Sequence, residues 1–236
     1  MKINRRSFLK SAGVLAAGTA SAPAAAAEAA AEPTPRWAML IDLRKCIGCQ
    51  ACTVSCIHEN AVPEDSYRTV VTTYEVASEG RVDAYMLPRL CNHCANPPCV
   101  PVCPVGATWA EPGGAVLVDN ERCVGCGYCV QACPYDARFI NHETQTADKC
   151  TFCLHRVEAG LLPACVESCV GGARIFGDLN EPDGDLRRAM DEAESLKVLR
   201  PEQGTAPHVF YIGLEPEFAG DVDAEPVLWD ARAERR

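Results

Sequence analysis

The sequence predicts an α+β fold made of repeated cysteine-rich modules with short strands and short helices. Three observations lead to this prediction. The 236 residues contain sixteen cysteines, which fall into four groups of four. Short runs rich in Val, Thr and Tyr lie between the groups and are typical of strands. In every group, three residues separate the last two cysteines, which suits a single helical turn. One small unit is therefore repeated along the chain.

The third group has the most specific spacing. Residues 123–134 read C-x2-C-x2-C-x3-C-P. Bacterial ferredoxins ligate iron–sulfur clusters with this run, and its fourth cysteine serves a different cluster from the first three. Gly125 and Gly127 allow the backbone to bend close to a cluster, and Pro134 ends the short helix that follows. The run therefore predicts a cubane cluster.

The other groups follow the same plan with a change in one gap. Four residues separate the second and third cysteines of the second group, and eleven separate those of the fourth. A disulfide framework would not require this spacing, and zinc bound by paired C-x2-C motifs would leave half of each group unused. We therefore predict four [4Fe–4S] clusters. Three clusters with one variant site remain the alternative.

The fourth-cysteine rule also predicts how the groups share ligands. The second and third groups both end in Cys-Pro and lie close in sequence, so we expect them to exchange fourth cysteines. The first and fourth groups then exchange theirs. The predicted ligand sets are Cys46, Cys49, Cys52 and Cys169 (first set); Cys56, Cys150, Cys153 and Cys165 (second set); Cys91, Cys94, Cys99 and Cys133 (third set); and Cys103, Cys123, Cys126 and Cys129 (fourth set).

This exchange predicts tandem ferredoxin-like modules that each hold two cubane clusters. The expected divisions are a signal peptide at 1–27, a flexible leader at 28–36, an outer module formed by 37–90 and 140–213, an inner module at 91–139, and a polar C-terminal tail at 214–236. The expected elements of the outer module are strands at 37–43, 174–176 and 208–212, a hairpin of 67–76 and 81–87, and an amphipathic helix at 186–198.

The N-terminus has the pattern of a twin-arginine signal. Arg5 and Arg6 precede Phe-Leu-Lys and an apolar run of small residues that reaches Ala27, so the signal should end between residues 27 and 31. An uncleaved membrane anchor is the alternative. The twin-arginine export machinery moves folded proteins, which agrees with a cofactor inserted before export. We expect a protein on the periplasmic side of the cytoplasmic membrane, held there through its partners.

Composition excludes several functions. The formal net charge is −10, and the basic signal makes the remainder more acidic, so nucleic-acid binding is not expected. After the signal, no run approaches the ~18 apolar residues of a membrane span. The five histidines are scattered and the acidic residues show no paired-carboxylate spacing. We therefore predict no catalytic residues and a protein that is not an enzyme by itself.

Basic residues stand immediately before the first cysteine of three groups. These are Lys45, Arg122 and Lys149. Nearby positive charge favours the reduced form of a cluster, so we hypothesise that these residues raise cluster potentials. The alternative is that each is a solvated surface charge of little consequence.

The order of the groups and the long gap in the fourth resemble the iron–sulfur subunits of the molybdopterin oxidoreductases, the family of dimethyl sulfoxide, polysulfide and nitrate reductase partners. Residues 90–94, 139–153 and 158–169, together with the export signal, are similar to its tetrathionate-reducing branch. The ligand exchange predicted above is also the pattern of this family. The resemblance further implies that the first cluster lies nearest the catalytic partner.

The resemblance implies an electron-transfer subunit. It would relay electrons from an integral membrane quinol-oxidising subunit through four [4Fe–4S] clusters to a molybdopterin-containing catalytic subunit that reduces tetrathionate to thiosulfate. The same role in a polysulfide, thiosulfate, arsenate or nitrite-type reductase is one alternative. An exported structural protein stabilised by zinc or disulfides is an alternative of another class.

Overall fold

The computed structural model describes residues 34–78, 81–214 and 226–228. Its strands are β1 (Trp37–Asp42), β2 (Thr69–Ser78), β3 (Arg81–Leu90), β4 (Thr108–Ala110), β5 (Val116–Val118), β6 (Phe139–Ile140), β7 (Ala147–Asp148), β8 (Arg174–Asp178), β9 (Val209–Ile212) and β10 (Pro226–Leu228). Its α-helices are α1 (Ala51–Glu59), α2 (Tyr128–Gln131), α3 (Leu154–Val157), α4 (Ala164–Glu167) and α5 (Asp185–Asp191). The predicted α+β class with short elements is confirmed. Across the described ranges, no helix has both the length and the apolar character that crossing a bilayer requires.

Strand β1 is the centre of a three-stranded sheet. It pairs antiparallel with β8 and parallel with β9, so residues near position 40 meet residues beyond position 170. A central strand covered on both faces should be apolar throughout, and Ala38–Ile41 are fully buried. One face, with Ala38 and Leu40, packs on Leu186 of α5. The other face contributes to the core that contains the cysteines, so the sheet separates α5 from that core.

The predicted hairpin is confirmed and is longer than expected. Strands β2 and β3 pair from Thr69 opposite Leu90 to Ser78 opposite Arg81. The turn predicted at residues 79–80 lies outside the described residues, as does the predicted signal at 1–27. Strand β10 adds a third strand beside β2, within the segment expected to be a polar tail. Two further strand pairs, β4 with β5 and β6 with β7, flank the inner cysteine groups.

Helix α5 is shorter than the sequence predicts. The pattern indicated a helix over 186–198, whereas α5 ends at Asp191. The reason is a tertiary contact: the backbone of Lys197 exchanges hydrogen bonds with Tyr211 of β9, at N···O distances of 3.0 and 2.8 Å. Pairing with the sheet edge therefore replaces the last turns of the expected helix, a competition that local periodicity does not reveal.

Candidate cluster sites

Three cavities in the structure are each lined by four cysteines. Their volumes are about 340, 280 and 310 Å³, mouths included. In that order the cavities contain Cys46, Cys49, Cys52 and Cys169; Cys56, Cys150, Cys153 and Cys165; and Cys91, Cys94, Cys99 and Cys133. The fold thus brings together the members of the first, second and third predicted sets, including cysteines more than a hundred residues apart.

The cysteines of the fourth set lie on neighbouring loops nearer the surface. The Asp119 amide donates to the Ala107 carbonyl at 2.8 Å, and Arg122 Nη1 donates to the Gly106 carbonyl at 3.4 Å. These contacts bring the loop that carries Cys103 beside the loop that begins at Cys123. Of this set, the side chain of Cys126 is exposed.

The four C-x2-C loops share one backbone turn. The residue before the second cysteine has a left-handed conformation in each loop, with φ of 69° at Gly48, 43° at His93, 67° at Gly125 and 56° at Phe152. Only the glycines could be expected from the sequence, because other residues rarely adopt this conformation. Burial supports the two exceptions: the rings of His93 and Phe152 stack with centroids 3.7 Å apart.

Several cysteine sulfurs accept hydrogen bonds from the protein. The amides of four residues donate to a cysteine Sγ at 3.2–3.3 Å; the pairs are Ala107 with Cys103, Ala147 with Cys123, Phe152 with Cys150, and Ala173 with Cys169. Asn60 Nδ2 lies 3.6 Å from the sulfurs of both Cys56 and Cys153. Such donors stabilise the thiolate form, which is the form that binds iron.

The thiol pKa values fit a positively charged occupant. Burial, followed by the charges of Cys165 and Cys153, raises the pKa of Cys56 to about 12. Burial likewise raises the pKa of Cys94 to about 11 and that of Cys150 well above its ordinary value. Burial acts in the same direction on Cys103, but backbone amides at residues 105–108 outweigh it and lower the pKa. Crowded, buried thiols ionise together only beside metal ions, whose charge deprotonates coordinating thiols.

Three cations are buried without a carboxylate partner. Arg138, Lys149 and Arg174 are 3%, 1% and 3% exposed, and no Asp or Glu among the described residues forms an ion pair with them. A buried charge requires compensation, and a cluster with four thiolates carries about −2. The cavities therefore fit an anionic cluster. In contrast, the side chains of Lys45 and Arg122 are 54% and 61% exposed.

The two buried arginines were not singled out by the sequence reasoning. A repeat could have found them, since Arg138 is the fifth residue after Cys133 and Arg174 is the fifth after Cys169.

The arrangement suits a polynuclear cluster better than a single ion. A zinc ion needs its sulfur ligands about 2.3 Å from one centre. Within the described ranges, no three His, Cys, Asp or Glu side chains are close enough together to hold one metal ion. All sixteen cysteines lie in the described residues, and none forms a disulfide. Each cysteine quartet that lines a cavity instead surrounds a space that a larger inorganic core can fill.

Comparison with known proteins identifies the same cofactor. The 4Fe-4S dicluster domain matches residues 45–107 and, in a second form, residues 82–179. The twin-arginine translocation pathway signal sequence matches residues 2–22, which indicates export to the periplasm.

Curated relatives cover most of the chain. The iron–sulfur subunit of the tetrathionate reductase of Salmonella typhimurium is 58% identical over 241 residues, spanning 97% of this chain and 96% of the relative. Its counterpart in the tetrathionate reductase of Archaeoglobus fulgidus is 46% identical, over 76% of this chain and 83% of the relative. The corresponding sulfite dehydrogenase component of Allochromatium vinosum is 36% identical, over 74% and 82%.

The dicluster domains and the cysteine-lined cavities account for the cysteine groups together. They make this chain an electron-transfer subunit with 4Fe–4S clusters, not a catalytic one. The chain belongs to the family of iron–sulfur subunits that includes those of the tetrathionate reductases.

Proposed function

We propose that this chain connects a membrane quinol-oxidising subunit with a molybdopterin-containing catalytic subunit that reduces tetrathionate to thiosulfate. The identity of 58% over almost the whole length of a tetrathionate reductase iron–sulfur subunit supports this assignment. When bound, a [4Fe–4S] cluster supplies reversible one-electron transfer. The protein must therefore hold the clusters in sequence, keep water from the inner ones and present the outer ones to its partners.

We propose that the four predicted sets are the ligands of four [4Fe–4S] clusters. The three cysteine-lined cavities support the first three sets, and the adjoining loops of Cys103 and Cys123 support the fourth. The sheet formed by β8, β1 and β9 supports a division into an inner module at 91–139 and an outer module at 37–90 and 140–213, since all its strands belong to the outer segments.

One observation carries the relay: cysteine exposure falls from the outer sets to the middle. Cys49 of the first set and Cys126 of the fourth are exposed, whereas every cysteine of the second set is buried. A relay that runs from the first set to the fourth needs this pattern, because only its ends exchange electrons with other chains.

Apolar side chains surround both ends. Ile47 and Val170 are 63% and 74% exposed beside cysteines of the first set, and Val124 is 64% exposed beside Cys123. Exposed apolar groups of this kind suit subunit contacts. We assign the first set to the catalytic partner, following the family resemblance, and the fourth set to the membrane partner.

The direct test is anaerobic purification of the native complex. We expect about sixteen iron ions and as many sulfides per chain. With a reduced dye as donor, the complex should reduce tetrathionate faster than thiosulfate or polysulfide. A colourless preparation with no iron would contradict the electron-transfer role. Preference for polysulfide, thiosulfate, arsenate or nitrite would retain the role and change the terminal substrate.

Two ligand variants test the direction of the relay. Cys169→Ser should block quinol-driven tetrathionate reduction while quinol still reduces the remaining clusters. Cys126→Ser should block reduction of the relay by quinol, while a dye that reaches the other end still drives tetrathionate reduction. The assignment of the ends is wrong if the two phenotypes are exchanged.

A further inference from the structure

The three buried cations differ from the other basic residues in what surrounds them. Arg138, Lys149 and Arg174 are the Arg and Lys residues that are buried in the described part of the chain. Their hydrogen bonds go to hydroxyls, carbonyls and sulfur instead of carboxylates. Uncompensated cations are unstable in a protein interior. Their counter-ions must therefore be sought in the cysteine quartets beside them.

Arg174 contacts cysteines of the first and second sets. It lines the first cavity, and its Nη2 donates to Cys52 Sγ at 3.5 Å and to Thr69 Oγ1 at 2.9 Å. In the second set, burial raises the pKa of Cys165, and the charge of Arg174 opposes that rise most strongly. A single guanidinium thus faces both of these sets.

Arg138 has the equivalent position between the third and fourth sets. It lines the third cavity, and its Nη1 donates to Thr108 Oγ1 at 3.3 Å. Its Nη2 is buried with no hydrogen-bond partner among the described atoms. Burial lowers the pKa of Arg138, while the charges of Cys99, Cys91 and Cys129 more than reverse that effect. Cys99 belongs to the third set and Cys129 to the fourth.

Lys149 lies between the second and third sets. Its Nζ donates to the Cys150 carbonyl at 2.6 Å and to the Val116 carbonyl. Burial lowers its pKa, and the charges of Cys91 and Cys150 act in the opposite direction. Cys91 is a member of the third set and Cys150 of the second. Each pair of successive sets therefore has one buried cation between its members.

We propose that Arg174, Lys149 and Arg138 are internal counter-ions, one at each of the three junctions of the relay, and that each favours reduction of the two clusters that flank it. This proposal rests on the four-cluster relay proposed above. It limits the earlier hypothesis about the residues that precede each group, because Lys45 and Arg122 are exposed and pair with Asp42 and Asp119.

The physical basis is charge balance. Reduction adds one electron and no proton, so the negative charge at a site rises by one. Two neighbouring clusters would then repel each other across a poorly screened interior. A cation between them stabilises the additional charge on either side. Its removal should lower the potentials of both flanking clusters and leave distant clusters unchanged.

The experiment is a redox titration of the anaerobic complex with dithionite, followed by electron paramagnetic resonance. In Arg138→Gln, we expect the reduced-to-oxidised ratio of the third and fourth clusters to fall about tenfold at a given ambient potential, equivalent to about 59 mV for one electron. Arg174→Gln should affect the first and second clusters, and Lys149→Gln the second and third. Arg138→Lys, which retains the charge, should remain near wild type.

The matched control is Arg122→Gln, which removes an exposed charge next to Cys123 of the fourth set. It should change no cluster by more than about twofold. If four clusters are present and the glutamine variants shift no more than this control, the counter-ion proposal is wrong. If the wild-type chain lacks four clusters, the proposed relay itself is wrong.

Variants that fail to assemble also give an answer. Loss of iron and sulfide in Arg138→Gln with retention in Arg138→Lys would support a requirement for charge. Equal loss in both variants would instead show that the shape of the arginine is needed, which contradicts the proposal.

Discussion

The middle of the proposed relay differs from its ends in its access to water. All four cysteines of the second set are buried, and three of the four in the third set are buried as well. The first and fourth sets each include an exposed cysteine, Cys49 and Cys126. The difference teaches that one repeated motif can serve two purposes. Enclosed copies retain electrons within the chain, and open copies exchange them with partners.

Charge is also treated differently in the two regions. Near the first set, Asp42 forms an ordinary ion pair with Arg44 at 2.9 Å, and near the fourth set Arg122 is 3.9 Å from Asp119. In the middle, Lys149 is buried with no carboxylate among its described hydrogen-bond partners. Loss of the clusters should therefore harm the middle most, because its buried cation would lose the negative charge that they provide.

Iron removal should have the largest effect on this comparison. An oxidant with a chelator should unfold the chain, because metal binding in small modules is coupled to folding. The first and fourth sites should lose iron before the second and third. Electron paramagnetic resonance and far-ultraviolet circular dichroism can follow both processes. Retention of secondary structure after complete iron loss would contradict the prediction, as would earlier loss from the middle.

Truncation of Phe152 should have the next largest effect. This side chain is 1% exposed, stacks on His93 and meets Phe176 edge to face with centroids 5.3 Å apart. Phe152→Ala should lower the free energy of unfolding by about 3–5 kcal/mol because it leaves a cavity. Tyr128→Ala, at a side chain 56% exposed near the fourth set, should change it by less than about 0.5 kcal/mol. Anaerobic denaturant titrations measure both. Similar losses in the two variants would remove the distinction between middle and end.

Glycine substitutions test how the ends are closed. A Cβ on Gly171 would lie 2.3 Å from the Lys45 carbonyl oxygen, and a Cβ on Gly125 would lie 2.3 Å from the Gln145 carbonyl oxygen. Gly171→Ala should therefore cost about 2–3 kcal/mol, measured by denaturant titration, and reduce iron retention at the first site.

The neighbouring Gly172 provides the control for this substitution. Its φ is 61° and no atom lies within 4 Å of a Cβ there, so Gly172→Ala should cost only about 1 kcal/mol. Equal costs would show that backbone conformation, and not the close approach to Lys45, determines the effect.

Asp42→Asn should have the smallest effect. The hydrogen bond from Arg44 lowers the pKa of Asp42, although burial opposes it. A lowered folded-state pKa contributes stability above the ordinary carboxyl pKa, and that contribution is lost as the pH falls through the folded-state value. The variant should be about 1 kcal/mol less stable at neutral pH, and the difference should shrink on acidification. Parallel denaturant titrations at decreasing pH measure it; a difference independent of pH would contradict the charge-based explanation.

Local patterns account for what could be predicted. The cysteine spacing indicated the cofactor class, which the dicluster domains support, and the apolar run at 37–43 indicated β1. The end of α5 was wrong because Lys197 pairs with Tyr211, a contact distant in sequence. Burial of Arg138 and Arg174 could not be predicted either, since a run of residues around an arginine does not show what covers it. The left-handed Phe152 depends in the same way on its stack with His93.

The position of β1 has a consequence for the timing of assembly. Its two neighbours, β8 and β9, are synthesised more than a hundred residues after it. The third and fourth ligand sets are complete once Cys133 has emerged, whereas the first set needs Cys169. The centre of the molecule can thus mature before translation ends, and the first strand to be made cannot complete its sheet until the last third of the chain has left the ribosome.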